Sequence, residues 1–217
     1  MDWPLLAGVP EADVRRVLAT ARRRSFGRNE VVFHAGDPAD TLHLIKTGRF
    51  AVQATTQLGD TATFAILGPG ESFGELALVS EDAVRSAAVV ALEPGETYSI
   101  YHRDFVRLRE RHPSVNIVLL TLLAGQVLRL SERLVEALYV DADTRVLRRV
   151  RDLSVLYGDG SGEAVIPLTQ ESIAQLAGTS RATVNRVLRE EEERGTLERG
   201  RGKTVVFDTE ALSRPTR

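Results

Sequence analysis

Two periodicities divide the chain. From about Arg24 to Ile100, short apolar segments are separated by Gly, Pro and Asp turns: EVVFHAG, TLHLIKTG, FAVQATT, TATFAILG and AAVVALEPGETYSIY. Runs this short, rich in branched and aromatic residues and regularly punctuated, predict a many-stranded sandwich or barrel. From Asp104 to Tyr139 the repeat turns helical, with a break at Pro113. Leu120, Val127 and Leu134 recur every seven residues, and Ile117, Ala124, Ser131 and Leu138 form a second register three before or four after. This is an a/d seam. A long helix that follows a β domain and carries such a seam is economically a dimer contact, the alternative being a helix packed into the chain's own core. Gly125 costs about 1 kcal/mol relative to alanine inside the helix, which weakens the case for a simple coiled coil.

A third section starts near Asp141. TRVLRRVRDLSVLYG reads as a helix, GDGSG as a loop, and TQESIAQLAGTSRATVNRVLREEEERG as two helices around a tight turn. Thr169 is placed to cap the first of that pair, which exposes Gln170 and Glu171 and buries Ile173 and Leu176. Gly178 supplies the left-handed stop, and Ser180 caps the second helix. Val184, Val187 and Leu188 then face inward, which leaves Arg181, Ala182, Asn185 and Arg186 on the outer face near that helix's N-terminus. Helix, glycine turn, helix is the helix-turn-helix plan, whose second helix reaches base edges in the major groove. An arginine there can bridge guanine O6 and N7. A plain helical hairpin with a solvated face is the alternative, but TLERGRGKTVVFD adds two short strands around Gly200-Arg201-Gly202, a hairpin wing. Arg199, Arg201 and Lys203 would sit beside phosphates. The carboxylates from Glu190 to Glu193 would be repelled by DNA and must face away from it.

Composition narrows the field without choosing a function. A 217-residue chain with 43% hydrophobic and 27% charged residues suits one large or two ordinary soluble domains. The absence of cysteine excludes disulfides, thiolate metal sites and cysteine-ligated iron–sulfur clusters. The longest apolar run, around Ile117 to Ala124, falls short of the roughly 20 residues that span a bilayer, so no membrane partner is expected. MDWPLLAGVPEAD lacks the basic start of a signal peptide, so a cytoplasmic protein is expected. A net charge of −2 does not advertise nucleic-acid binding, though a local basic surface could still provide it. His34, His43, His102 and His112 show no ligand spacing and read as surface or turn histidines rather than metal or haem ligands.

One stretch breaks the apolar pattern. In GESFGELALVSEDAVRSAAVVA, residues 70 to 91, Gly74-Glu75 interrupts a small apolar run, and Arg85-Ser86 follows ten positions after the glutamate. Paired only with each other, Glu75 and Arg85 would be a structural ion pair with little net stability to show for their desolvation. A ligand gives them separate work: arginine offers a planar fork to a phosphate, and a carboxylate accepts from a ribose hydroxyl. Gly74 would let backbone approach closely, with neighbouring N–H groups free for phosphate oxygens, and Ser86 adds a hydroxyl. The combination describes a sugar phosphate pocket inside a β-barrel.

These residues resemble the phosphate-binding cassette of the cyclic AMP receptor protein and fumarate–nitrate regulator superfamily, F-G-E-L-A-L followed by R-S-A. Phe73 to Leu78 and Arg85 to Ala87 match it at the family's spacing, and GDPADTLHLIKTG and LGPGESFGE are similar to its β-roll. The resemblance covers nearly the whole chain. It implies an α+β bacterial transcription regulator: a β-roll over residues 1–112, a dimerisation helix over 113–140 and a winged helix-turn-helix domain over 141–217. It implies a cyclic nucleotide effector, cyclic AMP first, held by Phe73, Gly74, Glu75, Leu76, Ala77, Arg85, Ser86 and Ala87, with Leu130 and Ser131 near the base. In that set Glu75 would bind the ribose 2′-hydroxyl, while Arg85, Ser86 and the backbone at Gly74 and Leu76 would bind the cyclic phosphate. Neither a metal nor an iron–sulfur cluster is implied. The DNA-contacting set would be Thr169, Gln170, Ser180, Arg181, Ala182, Thr183, Asn185, Arg186, Arg201 and Lys203, on a pseudo-palindromic operator read by a homodimer. RNA polymerase is an implied partner, with the loop from Tyr157 to Gly162 a candidate contact.

Two departures from the family bear on specificity. Leu130-Ser131 stands where the cyclic AMP receptor protein branch has Thr-Ser against adenine, which removes one hydroxyl. Ser180-Arg181-Ala182-Thr183 stands where the family has Ser-Arg-Glu-Thr, which removes an acceptor for cytosine N4, while Arg181 and Arg186 still favour guanine. A regulator of the same architecture that senses another effector, or binds DNA unaided, is the main alternative. An enzyme is not expected, because nothing supplies a nucleophile, a metal set or a second carboxylate beside Glu75 and Arg85.

Overall fold

The computed structural model describes residues 3–78, 83–158, 160 and 163–213. They separate into two compact units, Met1–Asp60 with Phe64–Leu130, and Thr61–Thr63 with Ser131–Arg217.

The first unit begins with α1 (Glu11–Thr20), a helix that the strand-dominated reading of the N-terminal half did not include. Eight strands follow: β1 (Arg22–Phe26), β2 (Val31–Phe33), β3 (Thr41–Thr47), β4 (Phe50–Thr55), β5 (Thr61–Leu67), β6 (Ser72–Phe73), β7 (Ala88–Ala91) and β8 (Gly95–Tyr101). They form two four-stranded sheets, ordered β1-β8-β3-β6 and β2-β7-β4-β5. The segment AAVVALEPGETYSIY is two strands in different sheets rather than one. Phe26, Ile45 and Phe73 from one sheet meet Val32, Phe50, Val89 and Ala91 from the other in a single cluster. Strand β3 shows why so apolar a segment is needed. Its side chains alternate between two buried faces, Ile45 towards the other sheet, and Leu42 and Leu44 towards a second cluster with Trp3, Val17, Phe105 and Leu119.

Helix α2 (His102–Arg111) and helix α3 (Ser114–Tyr139) are divided at Pro113. Helix α3 has two apolar faces. Val115 and Leu119 are buried, with Leu122 and Leu123 packed against the same cluster. The heptad positions lie on another face: Ile117, Leu120, Val127, Leu134 and Leu138 are 61–69% exposed. The seam therefore does not enter the core of its own chain. By length and composition α3 could also cross a bilayer, which the short apolar runs did not suggest. The exposed heptad stripe accounts for that composition.

The second unit contains α4 (Ala142–Tyr157), β9 (Ala164–Ile166), α5 (Gln170–Ala177), α6 (Arg181–Glu193), β10 (Leu197–Gly200) and β11 (Lys203–Val206). Helix α4 packs on α5, α6 and β9, where Val146, Val150, Ile166, Ile173, Val184 and Leu188 are fully buried. The wing is a three-stranded sheet ordered β10-β11-β9, one strand more than the hairpin expected from sequence. Asp141 caps α4: Oδ1 accepts from the Thr144 backbone N–H at 2.8 Å and Oδ2 from the Thr144 hydroxyl at 2.8 Å. These bonds, the backbone one foremost, hold the Asp141 carboxyl below the ordinary aspartate range. Asp141→Ala should cost about 1 kcal/mol of stability in the second unit and Asp141→Asn less, read as shifts of the urea midpoint followed by circular dichroism.

Candidate functional site

In the first unit the cassette sits between β6 and β7. Gly74 has φ +84°, a left-handed conformation that L side chains rarely adopt. A Cβ there would lie 2.6 Å from Arg85 Nη1 and 3.0 Å from the Thr41 carbonyl. Glycine is required twice over, by dihedral and by the guanidinium against its backbone. Arg85 is anchored by its own main chain: its N–H donates to Asp37 O at 2.8 Å and its carbonyl accepts from Gly36 N–H at 2.8 Å. The side chain is only 4% exposed. Nη2 donates to Thr41 Oγ1 at 2.9 Å and Nη1 to the Gly74 carbonyl at 3.4 Å, while Cζ lies 4.1 Å from the Phe33 ring centroid. Nε is buried with no hydrogen-bond partner among the described residues. Burial pulls the Arg85 pKa down from its ordinary value, opposed by Asp40, Asp37 and Glu75.

Glu75 and Arg85 are not an ion pair. Glu75 Oε1 accepts from Gln126 Nε2 of α3 at 3.0 Å, and among the described residues the carboxylate within salt-bridge range of Arg85 is Asp40, 3.8 Å away and itself 69% exposed. The purely structural pairing considered from sequence does not form. Phe73 is buried, and its ring centroid lies 5.8 Å from that of Phe33; Ala87 is buried and Ser86 exposed. The side chains of Leu76 and Ala77 lie outside the described residues. Leu130 is 51% exposed on α3, and Ser131 is exposed at the start of the other unit.

Sequence reasoning missed the floor beneath Arg85. Thr41, His43 and Thr97 are buried. His43 Nδ1 lies 3.0 Å from Thr97 Oγ1, and Nε2 lies 3.5 Å from the same Thr41 hydroxyl that receives Arg85. Its ring stacks on Phe73 at 4.9 Å and 9°. His43 is thus a core residue and not a surface or turn histidine. Burial, then the Arg85 and Arg24 charges, push its pKa down to about 3, so the ring is neutral. The available signal was the alternation of TLHLIKTG, which places Thr41 and His43 on the same face as Ile45. Among the described residues no group of three or more metal-ligating side chains is assembled.

In the second unit the helix-turn-helix forms as its local signals require. Thr169 Oγ1 accepts from Ser172 N–H at 3.1 Å, Gly178 turns through φ 60°, and Ser180 Oγ accepts from Thr183 N–H at 3.1 Å. A groove lined by Thr169, Gln170, Arg181, Asn185, Arg201 and Lys203 brings the front of α6 and the wing turn together. Ala182 and Arg186 are also exposed, and Asn185 Nδ2 donates to Gln170 Oε1 at 3.1 Å. The acidic run is partly buried and partly paired. Glu191 is buried, accepting from Thr196 Oγ1 at 2.7 Å and from Arg194. Glu192 accepts from the Arg199 backbone N–H and Nε, each at 2.8 Å, so Arg199 is committed to the α6–β10 junction rather than turned out towards phosphates. Of the candidate polymerase loop, Asp159, Ser161 and Gly162 lie outside the described residues.

The family model for the cyclic nucleotide-binding domain matches residues 23–112, and that for the Crp-like helix-turn-helix domain matches residues 129–214. The chain is 33% identical over 209 residues to the cyclic AMP receptor protein of Thermus thermophilus, covering 96% of this chain and 94% of that one. It is 30% identical over 219 residues to the CRP-like cAMP-activated global transcriptional regulator of Mycobacterium tuberculosis, covering 98% and 96%. Among solved structures, the Thermus thermophilus catabolite activator protein aligns with TM-score 0.56 and 32% identity over 96% of each chain. The c-di-GMP responsive regulator CLP of Xanthomonas campestris shares the fold, with TM-score 0.80 and 22% identity over 91% of this chain and 99% of that one.

The neutral buried histidine has a measurable signature. The unfolded chain takes up a proton near pH 6.5 that the folded chain resists until about pH 3, so the stability His43 contributes is complete above pH 6.5 and is lost as pH falls. Between pH 6.5 and 4.5 the native chain should lose on the order of 2 kcal/mol more than His43→Gln, measured by urea unfolding at each pH.

Proposed function

Because the chain belongs to the cyclic AMP receptor protein and fumarate–nitrate regulator superfamily of DNA-binding transcription regulators, we propose that it is a homodimeric regulator whose DNA affinity is set by cyclic AMP held at Gly74, Glu75, Arg85 and Ser86. A cyclic nucleotide-binding domain and a Crp-like helix-turn-helix domain make it a regulator and not an enzyme. The observation that carries the ligand reading is the state of Arg85. A guanidinium 4% exposed, 3.8 Å from a solvated carboxylate and with a buried Nε–H that has no acceptor among the described residues, calls for an anion with several oxygens. A cyclic phosphate supplies one charge and two acceptors. Glu75, with Oε1 on Gln126, offers Oε2 to a ribose hydroxyl. The names of the 33% and 30% identical relatives support cyclic AMP as the nucleotide. Leu130 and Ser131 would meet the base, by apolar contact and one hydroxyl.

The exposed stripe of Ile117, Leu120, Ala124, Val127, Ser131, Leu134 and Leu138 supports pairing of α3 with a second copy. Two recognition helices about 34 Å apart would then enter successive major grooves of a pseudo-palindromic operator. Thr169, Gln170, Ser180, Arg181, Ala182, Thr183, Asn185 and Arg186 would face it, with Arg201 and Lys203 on phosphates. Helix α3 carries both Gln126, on the cassette glutamate, and the stripe, so nucleotide and pairing act on the same rod. A cytoplasmic location and contact with RNA polymerase follow from the same reading.

Calorimetry on protein stripped of nucleotide should give saturable binding of cyclic AMP, tighter than cyclic GMP, and Arg85→Ala should weaken it by roughly 100-fold or more. Absence of heat with either nucleotide would favour a regulator that senses another effector or binds DNA unaided. Leu120→Asp combined with Leu134→Asp should convert a dimer to a monomer in sedimentation; an unchanged mass would remove the stripe from the interface.

A further inference from the structure

Helix α6 turns three arginines outward, Arg189 towards its C-terminal half beside Glu193 and Arg181 and Arg186 nearer its start, and from sequence the latter two favour guanine. The surroundings of these two differ. Arg181, in the first turn, is exposed and makes no side-chain hydrogen bond or ion pair among the described residues. Arg186 has both terminal nitrogens engaged: Nη2 donates to Asp143 Oδ1, and Nη1 donates to Glu190 Oε1 at 3.0 Å. The two carboxylates, the Asp143 hydrogen bond foremost, raise its pKa above the ordinary arginine value. Asp143 comes from the first turn of α4, 43 positions away in sequence, and the side chain that caps that helix is that of Asp141. The Asp143 carboxylate is free to act on α6.

Reading guanine requires two N–H groups of one guanidinium to bridge O6 and N7. Those atoms are dipole acceptors, whereas Asp143 and Glu190 present full charges to the same two nitrogens. We propose that Asp143 is a specificity-determining residue of the DNA interface, withdrawing Arg186 from guanine and leaving Arg181 as the arginine that reads it. This rests on the DNA-binding reading above. The side chains are 45% (Arg186), 31% (Asp143) and 41% (Glu190) exposed, and exposed pairs of this kind are weak, so Asp143 biases readout by a factor of a few rather than locking it.

Selection of bound duplexes from a randomised pool, with saturating cyclic AMP and sequencing of the survivors, tests this. The variants are Asp143→Ala, Asp143→Asn, Arg181→Ala, Arg186→Ala and the double Asp143→Ala/Arg186→Ala. Expected for the native chain is a two-fold motif with a guanine that Arg181→Ala loses and Arg186→Ala keeps. Asp143→Ala and Asp143→Asn should each gain about three-fold or more preference for guanine at one further position per half-site, and the double variant should lose that gain. An Asp143→Ala motif identical to the native one overturns the inference, as does a guanine lost in Arg186→Ala alone. Uniformly tighter binding with a steeper salt slope and an unchanged motif also overturns it, because the released Arg186 would then sit on a phosphate. A native chain that selects no sequence at all overturns the DNA-binding reading itself, an outcome distinct from the others.

Discussion

A single buried cation organises the first unit. Taking a guanidinium out of water is expensive, and Arg85 is compensated by partners that each settle part of the cost: a hydroxyl, a carbonyl, an aromatic face and a distant, solvated carboxylate. None of these is a full counter-charge at close range. The surrounding structure follows from keeping that cation in place. Its main chain is clamped to Gly36 and Asp37, the chain opposite must be glycine at position 74, and the strand beneath must accept polar side chains at 41 and 43. A better internal partner would stabilise the unit and close the site.

The second unit solves the opposite problem, many charges at a surface. Its acidic run is used locally, with Glu191 and Glu192 pinning the junction between α6 and the wing and Glu190 facing along the helix. What remains outward at the front of α6 and at the wing turn is cationic or neutral, with Glu171 of α5 lining the same groove; a face for a polyanion needs such a local excess of positive charge in a chain whose net charge is −2.

How much of this was legible in the sequence depends on the range of the physics. The cassette glycine, the caps at Thr169 and Ser180 and the turn at Gly178 are written in a few consecutive residues, because dihedral preference and capping are local. The heptad stripe was legible for the same reason, through its period. Features that depend on strand partners or distant charges were not: strand β9, the burial of His43 and the pairing of Arg186 with Asp143 each need residues far apart in the chain. Arg199 was misjudged because a sequence shows charges but not their neighbours. Arg199 looked like a phosphate ligand until Glu192 was placed beside it.

The two-faced helix α3 also bears on how much of this protein a cell must hold. One face is satisfied within the chain, while the other leaves a row of leucines and valines in water. If a second copy covers that row, burial of the stripe is part of the folding free energy, and by mass action that part grows with concentration. A scarce chain would then be both less stable and more adhesive than an abundant one. Gene dosage would enter its thermodynamics directly, setting a floor of expression below which the regulator is lost to proteolysis and clumping rather than merely outnumbered by its operators.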